Sequence, residues 1–478
     1  MSRTAQSRIG IAHLLALAIS TGAAAQAIVL PAAVADLDVL ARESLEARDP
    51  MTRGEAALWL AAAGRHDAYR AILAVARDPI PAARQRGILA VGLLATPGAE
   101  AFLSAVLNDA ATSDADVAIA AYGLGHQPAS VPNPSVDAWL GGARGRSYKR
   151  LRDPLAAMLA ALATAPHQEK LIALRNLRSD EANREDSLLV LAGRALAAAG
   201  EPLARSQAWR ELTDRSALVR SEAVRALAGH TPFLSANLDF LRRLARADAD
   251  AAVRAGAIRL LAEALDESAL ELAQRALASQ DRAEASAGAE VLLRLTGDVG
   301  RDAVEARIAT PSTPWPVRAS LLSLWHAPLT PRLTFACQDA ARSTSTPMEL
   351  RVAAAVALAR SDVRSHGDLL ASLFETATTR DLLRRIAAAM SETQLGAVQR
   401  LLTMPSALRA PMFDARLHAL ASTSFDRATE VVFEHARASR LDERHRGLAL
   451  AALRSARAPE CPAEVRALLP EPLASLLY

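Results

Sequence analysis

An arginine recurs at one position of a repeating segment, six residues after an Asp, Ser or Thr. The pairs are Asp214 and Arg220, Asp248 and Arg254, Ser312 and Arg318, Ser345 and Arg351, and Thr378 and Arg384. Guanidinium groups at one register of every segment could form a stripe that binds carboxylates or phosphates, because each donates paired hydrogen bonds. The alternative is structural, since an arginine one turn into a helix most often links adjacent repeats. We expect this structural role, and Ala287, six residues after Asp281, indicates that one segment tolerates loss of the arginine.

A second group that could hold an anion is a basic cluster in which glycines and a tyrosine separate the cationic residues. Its members are Arg144, Arg146, Lys149, Arg150 and Arg152. The cluster could bind phosphate or anionic lipid. A solvated loop that leads into a helix explains it more simply, because no phosphate-binding motif occurs and the flanking residues form no basic stripe. These residues are therefore weaker candidates for contacts with a partner.

Two of the five tryptophans are further candidates for contacts with a partner protein. Trp139 and Trp315 each lie in a segment that carries Pro or Gly, so we expect both side chains to be exposed. Tryptophan is enriched among the residues that contribute most to protein–protein binding.

Recognisable catalytic and metal-binding patterns are absent from the sequence. No two of the ten histidines stand at the i, i+4 spacing of a helical zinc site. The sequence has no Gly-x-Ser-x-Gly, no phosphate-binding loop and no dinucleotide-binding glycine pattern. We therefore expect no enzymatic activity, no bound metal and no cofactor.

The segments that carry the arginines repeat with a nearly constant period. The six Asp, Ser and Thr positions follow one another by 34, 33, 31, 33 and 33 residues. Their side-chain oxygens can accept hydrogen bonds from a first helical turn, so each is predicted to start a helix. Apolar residues follow at helical spacing, and a second helical stretch lies between copies. Because helix pairs of this kind bury their apolar faces by stacking, the sequence predicts an all-α fold, an α-solenoid.

Residues 248–261, which include Asp248, Val253, Arg254 and Ile258, resemble the HEAT repeat in its bacterial phycobilisome-lyase-like form, and residues 214–227 match equally well. The resemblance extends over most of residues 45–455 and is strongest in the centre. It implies an armadillo-like superhelix of antiparallel helix pairs that binds other macromolecules along a concave face. It does not imply lyase activity, since such repeats occur in many proteins without that chemistry.

The first 25 residues have the order of a secretory signal peptide. Arg3 and Arg8 precede an apolar run from Ile9 to Ile19, and a stretch of small residues ends at Ala25. We predict cleavage near Ala25 and export to the periplasm or cell envelope of a bacterium. The alternative is an uncleaved segment that anchors the chain. No later part of the sequence approaches the ~20 apolar residues that a spanning helix needs.

After the signal peptide at 1–25, we predict helical repeats at 26–126, an irregular loop or hinge at 127–153, HEAT-like repeats at 154–457, and a C-terminal cap or tail at 458–478. The two cysteines are almost four repeats apart, which is too far for a disulfide within the chain. Cys337 is predicted to be buried. Cys461 is predicted to be exposed and able to pair with another molecule.

The charge of the chain does not call for an acidic partner. Lys and Arg number 55 and Asp and Glu 52, and removal of residues 1–25 takes two arginines away. The sequence therefore predicts a secreted, non-enzymatic scaffold that binds a protein partner, with no nucleic acid. One alternative is a nucleic-acid-binding helical-repeat protein, which requires a basic concave face and no export. Another is a lyase-like enzyme built on the same repeats, which requires a polar constellation in a deep groove.

Overall fold

The structure is a computed structural model that describes residues 32–127, 148–164, 185–198, 204–391, 412–421, 443–457, 463–471 and 473–477. Within these ranges it contains 25 α-helices, a 3₁₀-helix at His66–Ala68 and no strand. The predicted all-α solenoid is confirmed. The predicted signal peptide and Cys461 lie outside the described residues.

In chain order the α-helices are α1 (Ala32–Ser44), α2 (Pro50–Ala62), α3 (Tyr69–Val75), α4 (Pro81–Leu94), α5 (Ala99–Asn108), α6 (Asp114–Gly125), α7 (Tyr148–Thr164), α8 (Asp186–Ala198), α9 (Ala204–Glu211), α10 (Ala217–Ala226), α11 (Thr231–Ser235), α12 (Leu238–Ala247), α13 (Ala251–Glu263), α14 (Ser268–Leu277), α15 (Arg282–Leu295), α16 (Asp298–Ala309), α17 (Trp315–Leu324), α18 (Pro331–Arg342), α19 (Met348–Ser361), α20 (Val363–Thr376), α21 (Arg380–Ala389), α22 (Phe413–Ala421), α23 (Glu443–Arg457), α24 (Ala463–Arg466) and α25 (Leu473–Leu476).

The chain divides into two compact units, Met1–Leu40 and Ala41–Tyr478. The described part of the first unit, residues 32–40, is helical and belongs to α1. All the elements considered below belong to the second unit.

Thirteen of the described helices in the second unit pack side by side in one continuous row. Along the row they are α2, α4, α6, α7, α8, α10, α13, α15, α17, α19, α21, α22 and α23. The last of them, α23, packs against the first, α2, so the row closes on itself. We call these the ring helices. The closure was not predicted from the sequence, which indicated an array with two ends.

Most of the other helices of the second unit form a second layer, in which each packs against one or two ring helices. The described contacts of this layer include α3 with α4, α5 with α6, α12 with α13, α14 with α15, α18 with α19, and α20 with α19 and α21. The ring helices are apolar over most of their surface, since they are covered by two neighbours and by this layer. In α7, for example, every residue from Leu155 to Leu162 is buried.

The helix starts differ from the prediction at five of the six repeat positions. Only Asp281 caps its helix, and it accepts hydrogen bonds from the N–H groups of Ala283 and Glu284. The other caps are Ser216, Asp250, Pro314, Pro347 and Thr379, each one or two residues after the predicted position. Asp214 and Asp248 instead close a turn before the cap, because their Oδ1 atoms accept hydrogen bonds from the N–H groups two residues later.

The predicted loop at 127–153 also differs from the structure at its end. Helix α7 begins at Tyr148 and continues through Pro154. Burial of the apolar run that follows holds the helix in place, although Pro154 removes one backbone hydrogen bond. Residues 128–147 lie outside the described ranges.

Candidate functional site

The repeat arginines bind the next segment of the array. Arg220 donates from Nε and Nη2 to the two carboxylate oxygens of Asp248, at 2.9 and 2.8 Å, and from Nη1 to the carbonyl of Asp214 at 2.9 Å. The hydrogen bonds that Arg220 donates to Asp248 raise the pKa of Arg220. Both side chains are largely buried. One guanidinium group therefore holds the turn before its own helix and the turn before the next.

Three other arginines, Arg53, Arg84 and Arg254, make the same contact with a carboxylate of the next segment. Among the four, the accepting carboxylate lies at one of two positions relative to the next helix. In the first arrangement the carboxylate lies two residues before a cap, as in Arg53 with Asp78 and Arg220 with Asp248. In the second it lies in the first turn of the helix, as in Arg84 with Asp116 and Arg254 with Glu284. A carboxylate near a helix N-terminus also interacts favourably with the helix dipole.

Two of the remaining repeat arginines donate to carbonyls instead of carboxylates. The Nε of Arg318 donates to Ile308 at 3.0 Å, and that of Arg351 donates to Ala341 at 3.3 Å. Arg384 lies in α21. Six of these arginines (Arg53, Arg84, Arg220, Arg254, Arg318 and Arg351) thus hydrogen-bond to protein groups, and most of them are partly buried. The first four link adjacent segments through carboxylates, whereas Arg318 and Arg351 bind the helix that precedes their own, and these six do not form an open anion-binding stripe.

A second set of ion pairs joins neighbouring ring helices directly. Arg86 in α4 binds Glu55 in α2, with Nε 2.7 Å from Oε1. Arg194 in α8 binds Glu222 in α10 through two hydrogen bonds, of 3.0 and 2.8 Å. Arg259 in α13 binds Glu290 in α15 in the same way, at 2.5 and 3.1 Å. The carboxylates differ in exposure, from 4% for Glu55 to 38% for Glu290.

The ring closes through hydrogen bonds between α2 and α23. The hydroxyl of Thr52 donates to the carbonyl of Glu443 at 2.6 Å, and the backbone N–H of Asp49 donates to the Glu443 carboxylate at 2.9 Å. The helices also approach closely at Gly447, where a Cβ would lie 2.6 Å from the Thr52 hydroxyl oxygen and 2.8 Å from its Cα. Only glycine allows this approach.

A buried ionic group lies beside this closing contact. The Nε of Arg454 in α23 is 3.4 Å from Oε2 of Glu55, which also binds Arg86. Burial acts to raise the pKa of Glu55, but Arg454 and Arg86 outweigh it and hold that pKa below its usual range. Burial, aided by Arg380, lowers the pKa of nearby His418 to about 4. His418 is therefore neutral at pH 7 while Glu55 is charged.

The described C-terminal residues contact the ring at α6. We call residues 463–471 and 473–477 the crossing segment. Its helix α25 packs against α6. The hydrogen bond to Glu222 raises the pKa of Arg225 at the end of α10, and the charge of Glu464 adds to this effect. Helix α23, which precedes the segment in the chain, packs against α2. Val465, Leu469, Leu473 and Leu476 are buried, with exposed fractions of at most 8%.

Of the partner contacts predicted from the sequence, the two whose side chains the structure describes, Arg152 and Trp315, are not brought together. Trp315 is partly exposed at the start of α17. Arg152 lies in α7, where it is exposed and pairs with Glu185 and Asp153. Four ring helices separate α7 from α17. Lys149 and Arg150 lie in the first turn of α7, whereas Trp139, Arg144 and Arg146 lie outside the described residues.

Cys337 is buried in α18 as a free thiol, as predicted. Among the described residues, no three His, Cys, Asp or Glu side chains are grouped as metal ligands. None of the helices in the described ranges combines the length and apolar character needed to cross a membrane.

The crossing segment and the ring closure are the two features that the sequence analysis missed. Helix α6 gave a signal, because apolar residues occur on every face of it and such a helix must be covered all round. Glu55 gave another, since a carboxylate within the buried run Gly54 to Ala61 needs a partner.

The sequence matches no known protein-family model and no curated protein. Among solved structures, the chain is similar to human deoxyhypusine hydroxylase in complex with glycerol, at 19% identity over 64% of this chain and 99% of that one, with a TM-score of 0.24. It is also similar to a homology model of the full-length AP-3 complex in an intermediate open conformation, at 12% identity over 88% and 86% of the two chains, with a TM-score of 0.39. Neither likeness bears on what this chain binds or does.

Proposed function

We propose that this chain is an exported, non-enzymatic scaffold of the bacterial cell envelope, built from HEAT-like repeats, that binds another protein. One observation carries this proposal. Helix α25 of the crossing segment lies against α6, and its Leu473 and Leu476 are buried, so the ring already holds one segment of the chain through aliphatic side chains. Helix-in-groove contacts of this kind are a common mode of peptide recognition.

The contacts of the arginines support a protein partner over nucleic acid. A nucleic-acid site requires cationic side chains that are available to phosphates. Arg53, Arg84, Arg220 and Arg254 each bind a carboxylate of the chain, at distances of 2.5 to 2.9 Å. The balance of 55 basic and 52 acidic residues favours the same conclusion.

Binding by such a ring depends on its shape being fixed before the partner arrives. The arginine links and the contact between α2 and α23 restrain the ring helices, so little ordering is left to occur on binding. The role of the ring is to hold a partner segment, and no chemical step is required of it.

Affinity capture tests this function. The chain, with a tag inserted directly after the predicted cleavage site, is expressed in a bacterial host and purified from an envelope extract at moderate salt. The eluate is examined by mass spectrometry and by nucleic-acid staining. We expect one protein to co-purify reproducibly with the tagged chain. It should be absent from a control purification that uses the tag alone. Salt-sensitive nucleic acid without a protein would contradict the proposal.

Export has a separate test. We expect the purified envelope protein to begin near residue 26, because Arg3, Arg8 and the apolar run that follows have the order of a cleaved signal peptide. Amino-terminal sequencing measures this directly. An intact Met1 on envelope protein would show that the segment is retained as an anchor.

A further inference from the structure

Two arginines from separate ring helices meet at the end of a third. The Nη2 of Arg385 in α21 donates to the hydroxyl of Ser323 in α17 at 2.8 Å. The Nη1 of Arg360 in α19 donates to the carbonyl of Trp325, the residue that follows α17, at 3.1 Å. The two acceptors are only two residues apart in the chain. Both guanidinium groups therefore lie at the carboxyl end of α17.

This meeting point lies on the inner side of the ring, which faces its centre. Arg385 reaches Ser323 across α19, because α19 stands between α17 and α21 in the row. Side chains of two helices separated by a third can meet only on the concave side of a curved row, since they diverge on the other side. A second contact of this kind lies nearby, where Nη1 of Arg282 in α15 is 3.5 Å from the Glu349 carboxylate in α19, across α17.

The two arginines lack the carboxylate that other arginines of the ring helices have. Arg194 and Arg259 each donate two hydrogen bonds to a glutamate of the next ring helix. Arg385 has only Asp381, which is 77% exposed and whose Oδ2 lies 4.0 Å from Nη1. None of the described carboxylates lies within 4.0 Å of Arg360. Two positive charges are thus held together without a matching negative charge.

The charge and the exposure of the pair leave it open to an anion. Burial lowers the pKa of Arg360, and the charge of Arg385 lowers it further. Carboxylates act in the opposite direction on Arg220 and Arg254, whose pKa values are raised. A guanidinium group has five N–H donors, and the hydrogen bonds at α17 engage one on each arginine. Arg360 is exposed and the Arg385 side chain is 25% exposed, so a ligand can reach the other donors.

We propose that Arg360 and Arg385 together bind a carboxylate of the partner protein, from an Asp or Glu side chain in a segment that enters the inner side of the ring. A carboxylate has two oxygens that can accept from two guanidinium groups, and it offsets the repulsion between them. The ring helices pair arginine with glutamate in this way elsewhere, as Arg194 and Glu222 do. This inference rests on the proposed scaffold function and specifies where the partner binds and with which charge.

The test uses the full-length chain and a fluorescein-labelled peptide of six glutamates, followed by fluorescence anisotropy at about 50 mM salt, where screening is weak. In the inner variant, Arg360→Gln and Arg385→Gln remove both charges. We expect the unchanged chain to bind the peptide and the inner variant to bind it about tenfold more weakly or less, because hydrogen bonds between charged groups are the strong ones. A labelled peptide of six glutamines should bind neither protein.

A matched variant separates this site from the overall charge of the chain. In the outer variant, Arg332→Gln and Arg342→Gln remove two exposed arginines of α18 and change the net charge by the same amount. We expect its affinity for the glutamate peptide to stay within about twofold of that of the unchanged chain. Equal weakening in the two variants, or no weakening in the inner variant, would overturn the inference.

A further pair of variants leaves both arginines in place. Ser323→Asp puts a carboxylate where Arg385 now donates to a hydroxyl, so the chain fills its own site. We expect it to bind the glutamate peptide about tenfold more weakly. Ser323→Asn has the same size without the charge and should bind as the unchanged chain does. This pair decides the question if circular dichroism shows that the inner variant does not fold. Full binding by Ser323→Asp would contradict the site.

Competition identifies the chemical class of the ligand. Unlabelled succinate supplies carboxylates, and inorganic phosphate supplies the other oxyanion that paired arginines bind. We expect succinate to displace the labelled glutamate peptide at concentrations no higher than those that phosphate requires. Displacement by phosphate at a tenfold lower concentration than succinate would assign the site to a phosphate group and overturn the choice of a carboxylate.

The outcomes distinguish this inference from the proposed function. If the affinity capture recovers the same protein in equal amount with the unchanged chain and with the inner variant, the site is wrong and the scaffold function stands. If the capture recovers no protein while the glutamate peptide still separates the inner from the outer variant, the scaffold function is wrong and the carboxylate comes from another source. Loss of both the peptide and the captured protein in the inner variant alone would support both.

Discussion

The Nε of Arg454, in the last ring helix, lies 3.4 Å from a carboxylate oxygen of Glu55, which is in the first ring helix. Arg86 binds the other oxygen of the same carboxylate at 2.7 Å. Glu55 is thus shared between an ordinary contact of neighbouring repeats and the contact that closes the ring. The side chains of Glu55 and Arg454 are only 4% and 8% exposed, so loss of one partner leaves a buried charge.

Replacing Glu55 is therefore expected to be costly. Glu55→Ala leaves Arg86 and Arg454 without their carboxylate, and we expect the free energy of unfolding to fall by about 3–5 kcal/mol. Urea denaturation followed by circular dichroism measures this. The control is Glu290→Ala, because Arg259 and Glu290 have the same 31-residue spacing but are 42% and 38% exposed. The free energy of unfolding of Glu290→Ala should fall by less than about 1 kcal/mol. Equal losses would show that burial of Glu55 is unimportant.

A single methyl group should open the ring. In Gly447→Ala the new Cβ meets the backbone of Thr52, which cannot rotate away. We expect α23 to separate from α2 and the radius of gyration in small-angle X-ray scattering to rise, while the helical content is unchanged. Gly256→Ala is the control, since its nearest neighbours are side-chain atoms of Val224. A ring of unchanged size in Gly447→Ala would contradict the closing contact.

Stability is expected to fall as the pH drops below 6.5. His418 has a pKa of about 4 in the folded chain, whereas the unfolded chain takes up the proton near 6.5. The unfolded state therefore binds more protons between these values, and acid favours it. We expect a loss of about 2 kcal/mol between pH 6.5 and pH 5. His418→Gln should remove this slope and exposed His326→Gln should retain it. Glu55, whose pKa is lowered, adds to the loss only at lower pH.

The links between repeats should differ in strength along the array. Arg220 makes two hydrogen bonds to a buried carboxylate, whereas Arg318 donates from Nε to one carbonyl. We expect Arg220→Ala to cost about 2–3 kcal/mol and Arg318→Ala about 1 kcal/mol, measured by urea denaturation. A double-mutant cycle with Asp248→Ala isolates the ion pair. Additive losses in that cycle would show that Arg220 acts through its carbonyl contacts alone.

Cys337 reports unfolding of the array. Burial raises the pKa of its thiol to about 12, so hardly any reactive thiolate exists at pH 8. We expect a thiol reagent to modify Cys337 in a Cys461→Ser variant only in denaturant. Rapid reaction of the folded variant would show that α18 opens locally. Cys337→Ser in the same background controls for other reactive groups.

The links between repeats were predictable because they are local. Arg220 and Asp248 are 28 residues apart, and the period of the sequence brings them together in any helical array of this type. The prediction of helix starts was wrong at Asp214 and Asp248 for a related reason. Asp can either cap a helix or close the turn before it, and the sequence contains a second capping residue, Ser216 or Asp250, two positions later.

The ring closure was not predictable from the pattern. Thr52 and Glu443 are 391 residues apart, and their contact depends on a small rotation at every step of the row. No single residue sets that rotation. The helices of the crossing segment were also not predictable from its sequence, since two helices of four residues each are stable only where the ring supports them.

Closure restricts how the number of repeats can change. An open array can gain or lose a repeat, because the two flanking units form one new interface and the ends are free. Here the thirteen ring helices together complete one turn, and Glu443 arrives beside Thr52 only if all of them contribute. Deletion of one repeat would leave a gap between α23 and α2, and duplication would drive the two helices into each other. The copy number of the repeat is therefore fixed by geometry, as the number of blades is in a propeller.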